Sequence, residues 1–304
     1  MEYDFSIGAA ASAAVEYTLD NFSPMLDVIA DVIGYFAAGI KSGLSWLSPW
    51  AFISIIALFA LWRIGWKFAV LCGAALLLIV GMGLWKETIE TLSLVVAATA
   101  IAIMIGIPLG ILMARSSITG AGIRPLLDLM QTMPAFVYLI PAAMFFGLGA
   151  VPGIIATVIF SMPPVVRLTA LGLRQVNREF VEAGLAFGCT DRQLLLKVQF
   201  PLALPSIMAG VNQTIMLGLS MVVIASMIGA GGLGNTVLTG IQRLDVGLGF
   251  EGGLAVVILA VILDRLTQSL SRPASLKIAV FSPGRIRARQ DAAQLETAPI
   301  KTGA

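Results

Sequence analysis

Seven long apolar blocks constrain this chain more than any other feature of its sequence. They lie at residues 49–62, 67–85, 89–113, 127–147, 151–172, 202–229 and 249–268. A helix of ~17–25 apolar residues can cross a bilayer, and only the first block is marginal in length. The chain is 58% hydrophobic and 12% charged, against about 25% charged residues in soluble domains. We therefore predict an all-α polytopic membrane protein with about seven transmembrane helices.

Basic residues predict how these blocks are oriented, because connections rich in arginine and lysine stay in the cytoplasm. Such residues fall in the first, third and fifth connections: Arg63, Lys67, Arg115, Arg124, Arg174, Arg178, Arg192 and Lys197. The second and fourth connections are poor in them. The alternation places the N-terminus outside and the C-terminus in the cytoplasm.

The two ends of the chain differ from the apolar middle. Residues 1–48 carry six acids and one base, and apolar residues recur at helical spacing from Pro24 onward. This pattern fits an extracytoplasmic amphipathic helix at the membrane surface and equally a mobile tail with a helical end. Residues 49–85 would form two accessory transmembrane helices. Residues 271–304 are polar and arginine-rich, and we expect a disordered cytoplasmic tail.

Several chemistries are absent from the sequence. It contains no histidine, and its two cysteines, Cys72 and Cys189, are far apart, so we predict no catalytic residue and no metal site. No phosphate-binding Gly-x-x-x-x-Gly-Lys-Ser/Thr motif occurs, so the chain is not itself an ATPase. The glycines at 229, 231 and 234 match a dinucleotide fingerprint in letters, but they follow an apolar span rather than a strand. We interpret Gly231, Gly232 and Gly234 as a turn at the outer end of that span.

The longest polar interruption, residues 177–205, has its own internal structure. Helical spacing from Arg178 to Phe187 places Val181, Leu185 and Ala186 on one face and Glu179 and Glu182 on another.

Gly188 is suited to end that helix, and Thr190 with Gln193 forms a capping-box pattern for a second one. Pro201 and Pro205 mark the return to the membrane. From the residues alone, two interpretations are open: a protrusion that fits a groove on a partner, and an interfacial helix that anchors the loop to lipid headgroups.

The same residues carry a resemblance to a known family. Glu182-Ala183-Gly184, three residues, Gly188, nine residues, then Val198-Gln199-Phe200-Pro201 resembles the EAA loop of ABC importer permeases. Gly184, Val198 and Phe200 depart conservatively from that pattern. The resemblance implies a coupling loop that docks on a separate ATP-binding subunit, with Glu182, Ala183, Gly184, Gly188 and Pro201 as its site residues.

Further segments are similar to permeases of glycine betaine/proline betaine importers, which are related to choline permeases: RPLLDLMQTMPAFVYLIP (124–141), MPPVVRLTALGLRQV (162–176), AGVNQTIMLGLSMVVIASMIGAGGLG (209–234) and ILDRLTQSL (262–270). This likeness implies that residues 86–270 form a type I (MetI-like) importer permease domain in the bacterial inner membrane. It also implies a second permease copy, two cytoplasmic ATPases that bind ATP and magnesium, and an extracytoplasmic binding protein. It implies no cofactor in this chain and no nucleic acid partner. The cargo would be a quaternary ammonium osmoprotectant.

Residues of a translocation path are the hardest to identify. A quaternary ammonium group is recognised by aromatic faces, and Phe136 and Tyr138 lie in a block that Pro134 and Pro141 make irregular. These rings would either line the path or pack between helices. Asn212, Gln213 and Thr214 are polar in an apolar span, and they would either face the path or bond across a helix interface.

Two other functions are compatible with a polytopic chain. A secondary transporter driven by an ion gradient would need an ionisable residue deep in a span, and no such residue is clearly central in the sequence. Asp128, Arg167 and Asp264 lie near block ends, where they would anchor the ends or pair with one another. A purely structural scaffold would not need proline-broken spans or a polar cluster.

Overall fold

In a computed structural model of the protein, the structure describes residues 7–271, and all regular elements within that range are helical. The α-helices are α1 (Ile7–Trp46), α2 (Pro49–Arg63), α3 (Trp66–Gly81), α4 (Trp85–Arg115), α5 (Ser117–Thr132), α6 (Leu139–Phe146), α7 (Ala150–Ser161), α8 (Pro163–Arg174), α9 (Arg178–Ala186), α10 (Asp191–Gln193), α11 (Phe200–Ala225), α12 (Leu233–Arg243) and α13 (Val246–Ser271). Two 3₁₀ turns cover Ala135–Tyr138 and Ser226–Ile228, and a π-helical turn covers Leu194–Gln199. The predicted cytoplasmic tail lies outside the described residues.

Helices α4, α7, α8 and α11 pack around one another at the centre of the fold. Their shared core contains fully buried small and branched side chains, including those of Val95, Ala98, Ile154 and Val222. Glycines bring α4 and α8 close together: a Cβ atom on Gly106 would lie 2.4 Å from Val165 Cγ1, and one on Gly110 would lie 2.6 Å from Thr169 Cβ. Such small-residue contacts are how helices associate without a hydrophobic driving force between them.

Five helical stretches are long and apolar enough to cross a membrane: Val15–Trp46, Trp85–Arg115, Ala150–Arg174, Asp191–Ile228 and Val246–Leu270. Helices α2 and α3 are apolar but only 15 and 16 residues long, below the ~20 residues of an ordinary span. By length and composition, the count is five, or six with the bent pair described next, against the predicted seven. The all-α membrane fold is confirmed, and its orientation stays a prediction.

The block predicted as a span at 127–147 is not one helix. Helix α5 ends at Thr132, and the helical segment that follows is bent away from it by 109°. Pro134 lies at the break, where a ring without a backbone N–H cannot continue the α5 hydrogen-bond ladder. The irregular backbone expected from the two prolines therefore occurs at Pro134, while Pro141 lies inside α6.

Helix α1 is longer than the sequence indicates, because it runs from Ile7 to Trp46 with Pro24 inside it. Its C-terminal half packs against the central core through Ile33, Ala37, Ile40 and Leu44. Lys41 Nζ also lies 2.8 Å from Glu90 Oε1 near the start of α4. This half is therefore attached to the bundle, and the placement of α1 at the membrane surface stays a prediction.

Candidate functional site

The coupling loop, residues 177–205, begins with a capped helix. The side chain of Asn177 accepts a hydrogen bond from the backbone N–H of Glu179 at 3.1 Å, which satisfies one free donor at the start of α9. Glu179 itself lies in the first turn, where a negative charge favours the positive end of the helix dipole. The helix ends at Ala186, one residue from the predicted boundary at Phe187.

Gly188 terminates this helix as predicted, with φ of 76°. The backbone N–H of Cys189 donates to the Gly184 carbonyl at 3.0 Å, and that of Gly188 donates to the Leu185 carbonyl at 2.9 Å. This pair of bonds is the Schellman arrangement, which needs a residue that tolerates a left-handed conformation. The next helix follows almost immediately, so the loop turns sharply at this glycine.

The predicted capping box is also present. The Thr190 hydroxyl accepts from Gln193 N–H at 3.4 Å, and the Gln193 amide oxygen accepts from Thr190 N–H at 3.0 Å. After α10, the backbone passes through the π-helical turn Leu194–Gln199 and enters α11 without a break. The sequence did not reveal this π turn. Such turns often occur at functional sites.

Helix α9 presents two different faces. Glu182 and Ala183 are exposed, and so is the Phe187 side chain just beyond the helix, with 90% of its surface accessible. Gly184 is buried, because a Cβ atom there would lie 2.7 Å from Leu194 Cδ1. The outer face is therefore the one that a partner can reach.

This arrangement shows which side of α9 packs inward. Leu185 and Ala186, which helical spacing places on the apolar face, are exposed, and the helix packs inward through Gly184. Gly184 was predicted to dock on a partner, but its burial assigns it to close packing within the loop. Of the other predicted docking residues, Gly188 and Pro201 are exposed alongside Glu182 and Ala183. Phe187 was missed, although a large apolar residue directly before a helix-ending glycine could have drawn attention to it.

Two arginine side chains connect the end of α4 to its neighbours, one from α8 and one to the loop. The Arg174 guanidinium donates to the carbonyl oxygens of Met113 and Ala114 at the end of α4. Arg115 Nη2 donates to the Asp191 carbonyl oxygen at 2.9 Å. The last carbonyls of a helix lack partners within it and favour positive charge, so the Arg174 contacts stabilise the end of α4. The loop is thus connected to α4 by the Arg115 side chain and to α11 by continuous backbone.

The opposite end of α11 leads into the glycine turn, residues 226–234. Gly229, Gly231 and Gly232 have φ of 83°, 85° and 72°, which side chains rarely permit. The backbone N–H of Leu233 donates to Thr91 Oγ1 at 2.8 Å, and that of Gly232 donates to Glu90 Oε2 at 3.3 Å. The turn is therefore fixed to α4.

The predicted glycine turn is present, and the turn is tightly packed. A Cβ atom on Gly232 would lie 2.4 Å from Thr91 Oγ1, and one on Gly234 would lie 2.8 Å from the Cα of Val223. The turn leads into α12, a helix that the sequence analysis did not identify, and α12 packs against α13. No strand precedes these glycines in the described part of the chain, so they are not part of a βαβ unit.

The two predicted path aromatics have different surroundings. Tyr138 is buried, its hydroxyl donates to the Met130 carbonyl oxygen at 2.9 Å, and its ring centre lies 6.3 Å from that of Phe160. Tyr138 therefore packs between helices. Phe136 is 56% exposed and remains open on the surface of the single chain.

The three polar residues of α11, Asn212, Gln213 and Thr214, also have different surroundings. Asn212 Nδ2 donates to Asp264 Oδ1 on α13 at 2.9 Å, so this residue bonds across the helix interface. Gln213 is exposed. Thr214 is fully buried, and its hydroxyl has no hydrogen-bond partner among residues 7–271.

The three charged residues assigned to block ends, Asp128, Arg167 and Asp264, also differ in their partners. Asp128 and Arg167 form the predicted ion pair, with 2.6 Å between Oδ1 and Nη2. Asp264 instead accepts hydrogen bonds from two amides, those of Asn212 and of Gln268 at 2.7 Å. An ionisable side chain therefore lies between α11 and α13, which the sequence analysis did not recognise.

Comparison with known proteins extends these observations. A chain of the MetNI methionine ABC transporter, solved in inward-facing conformations, superimposes with a TM-score of 0.56 at 20% identity, covering 60% of this chain and 92% of that chain. At this identity the likeness concerns the fold alone, and it agrees with the predicted importer permease fold.

Curated relatives are much closer in sequence. The glycine betaine/proline betaine transport system permease protein ProW of Escherichia coli (strain K12) is 49% identical over 259 residues, 85% of this chain and 73% of that protein. The glycine betaine/carnitine transport permease protein GbuB of Listeria monocytogenes serotype 1/2a (strain 10403S) is 50% identical over 264 residues, 84% of this chain and 92% of that protein. Residues 106–274 match the family described as binding-protein-dependent transport system inner membrane component. The chain belongs to that family.

Proposed function

We propose that this chain is the permease subunit of an ATP-driven importer for quaternary ammonium osmoprotectants, with glycine betaine, proline betaine or choline as cargo. The family is one of membrane transport components, and the names of the two relatives refer to glycine betaine, proline betaine and carnitine. The chain is a transport subunit rather than an enzyme. In the proposed assembly two copies of it pair in the bilayer, an extracytoplasmic protein delivers the cargo, and two ATPases hold ATP and magnesium.

The observation that carries the coupling role is the shape of the loop at 177–205. Its short helix α9 is stopped by Gly188 and exposes Glu182, Ala183 and Phe187 on one side. Its other side packs through Gly184 on Leu194, the first residue of the π-helical turn that continues into α11. A force applied to the exposed face would therefore reach α11 through unbroken helix.

The second connection runs to α4 through the bond from Arg115 to the Asp191 carbonyl. Helices α4 and α11 both belong to the central group of the bundle. In the proposed mechanism, closure of the ATPases on ATP moves the two loops together and shifts the equilibrium between inward-open and outward-open states of the spans. The energy comes from the different affinity of the ATPases for the two states.

Reversing one charge on the exposed face tests this role. Glu182→Lys should lower ATP-driven uptake in proteoliposomes at least about tenfold. The substitution reverses a charge at the proposed interface with the ATPase, and a reversed charge there weakens the complex. Glu16→Lys, the same reversal at an exposed position on α1, is the matched control and should leave uptake unchanged. Unchanged uptake with Glu182→Lys would show that the docking role is wrong.

The alternative of an ion-gradient-driven transporter gains one observation, the carboxylate of Asp264 between α11 and α13. Ionisable residues in spans are often parts of ion or proton pathways. Its Oδ1 atom nevertheless accepts from two amides, Gln268 on α13 and Asn212 on α11, and the Asn212 bond gives Asp264 a role in joining the two helices. Uptake that persists without the ATPase and collapses with the proton gradient would favour the alternative.

A further inference from the structure

A cavity of about 240 Å³ lies on the inner side of the coupling loop. It is a half-open pocket bordered by the C-terminal ends of α4 and α8, by α9 and by the π-helical turn. Three arginines, Arg115, Arg174 and Arg178, contribute to its wall. Leu173, Val181, Leu195 and other apolar side chains complete it.

The positive charge around this cavity has no counterion among the residues that the structure describes. The ion pairs Lys41–Glu90 and Arg167–Asp128 involve other residues, and within residues 7–271 no carboxylate pairs with any of the three arginines. Arg115 and Arg174 each donate to backbone carbonyls, whereas the Arg178 side chain makes no hydrogen bond within the described residues. Like charges that converge on one space repel, and an anion between them would relieve that repulsion.

We propose that this cavity binds a phosphate-bearing anion, the headgroup of an acidic phospholipid in the adjacent leaflet. Planar guanidinium groups match the oxygens of a phosphate with paired hydrogen bonds. Basic pockets between membrane helices on the cytoplasmic side are suited to such headgroups. The inference rests on the cytoplasmic placement of the loop in the proposed function.

The position of the cavity favours a lipid over a soluble phosphate. Ala114 and Leu173 belong to the last turns of stretches long enough to span the bilayer, so the opening lies where headgroups begin. The apolar part of the wall would contact the glycerol and the first acyl carbons. A bound headgroup would connect α4, α8 and α9, and would hold the docking helix against the bundle.

Lipid retention by the purified full chain tests the proposal. Native mass spectrometry would titrate phosphatidylglycerol, and phosphatidylcholine of the same chain length, onto the wild type and onto Arg178→Gln. The wild type should retain phosphatidylglycerol preferentially, and Arg178→Gln should weaken its binding by roughly tenfold, the effect of losing one charge-assisted hydrogen bond. Arg115→Gln, a second variant in the same wall, should weaken it similarly.

Arg192→Gln is the matched control, because it removes the same charge from an exposed residue of the same loop outside the cavity wall. Equal loss in Arg178→Gln and Arg192→Gln, or no loss in either, would overturn the proposal. A thermal-unfolding assay separates a lipid headgroup from free phosphate. If inorganic phosphate raised the unfolding temperature of the wild type but not of Arg178→Gln, and phosphatidylglycerol raised neither, the headgroup assignment would be wrong. Weakened ATPase binding with unchanged lipid retention would assign the cavity to an acidic group of the ATPase instead. The lipid measurement needs no ATPase, so its failure is distinct from a failure of the Glu182→Lys uptake test.

Discussion

The coupling loop and the glycine turn lie at opposite ends of α11, and the chain holds them in different ways. The glycine turn donates backbone N–H groups to Glu90 and Thr91 on α4, and it has no room for an added carbon at Gly232. The coupling loop is organised by its own caps at Asn177 and Thr190, and it leaves large side chains such as Phe187 exposed. One end of α11 is therefore fixed to a neighbouring helix, while the other carries a surface open to a partner. Movement of the open end would pivot α11 about the fixed one.

Gly232→Ala should disrupt the contact between the glycine turn and α4, and it should cause the largest loss of stability among these variants. The new Cβ would lie 2.4 Å from Thr91 Oγ1 and 3.1 Å from Thr91 N, at a φ of 72°. We expect the free energy of unfolding to fall by about 2–4 kcal/mol, from overpacking and from backbone strain together. Unfolding by SDS titration would measure it.

Gly83→Ala is the matched control for that change. Gly83 has nearly the same φ, 74°, but no atom within 4 Å of an added Cβ. Only the strain of the left-handed backbone should remain, about 1 kcal/mol. Equal effects at the two glycines would show that the contact with α4 does not fix the turn.

Phe187→Ala should affect the open end without affecting the bundle. Truncating an aromatic anchor at an interface costs about 2 kcal/mol, so the affinity for the ATPase should fall roughly 30-fold. The free energy of unfolding should change by less than about 0.5 kcal/mol, because the ring is 90% exposed in the chain. Titration of the purified ATPase onto the chain in nanodiscs would measure the affinity.

Leu196→Ala provides the comparison, because it truncates another exposed apolar side chain of the same loop, outside α9. It should retain most of the affinity for the ATPase. If Leu196→Ala and Phe187→Ala weakened binding equally, the assignment of the docking surface to α9 and Phe187 would be contradicted.

Lys41→Gln should have the smallest effect and would show how much α1 contributes to the fixed end. Lys41 is half exposed, and an ion pair of that kind contributes about 0.2–1 kcal/mol. Glu90→Gln should cost more, because the Glu90 side chain also accepts from the backbone N–H of Gly232. A double-mutant cycle in the same SDS titration would isolate the pair. A coupling well above 1 kcal/mol would mean that α1 is an integral part of the turn.

Local features of the site could be predicted from the sequence, and tertiary ones could not. The stop at Gly188 and the capping box of Thr190 and Gln193 depend on hydrogen bonds within a few residues, so spacing alone identifies them. The burial of Gly184 depends on Leu194, which approaches only after the chain has turned back.

The same reason explains the larger differences in the fold. The apolar blocks predicted the helical membrane architecture, but not the 109° bend, because composition does not distinguish a straight helix from a broken one. Asp264 looked terminal because its partner Asn212 is 52 residues away in the chain. Helix α12 was missed because it is short and amphipathic, beside a much longer apolar block.

The π-helical turn at Leu194–Gln199 has a consequence for the angular relation between the loop and α11. In an α-helix each residue advances about 100° around the axis. A π-helical turn contains one extra residue, so it rotates the helical segment before the turn by about 100° relative to the segment after it. The orientation of α9 relative to α11 therefore depends on this π-helical turn and not on the apolar periodicity of α11. Substitutions in the turn could therefore change the orientation of the coupling loop without changing the residues that line the spans, and the reverse also holds.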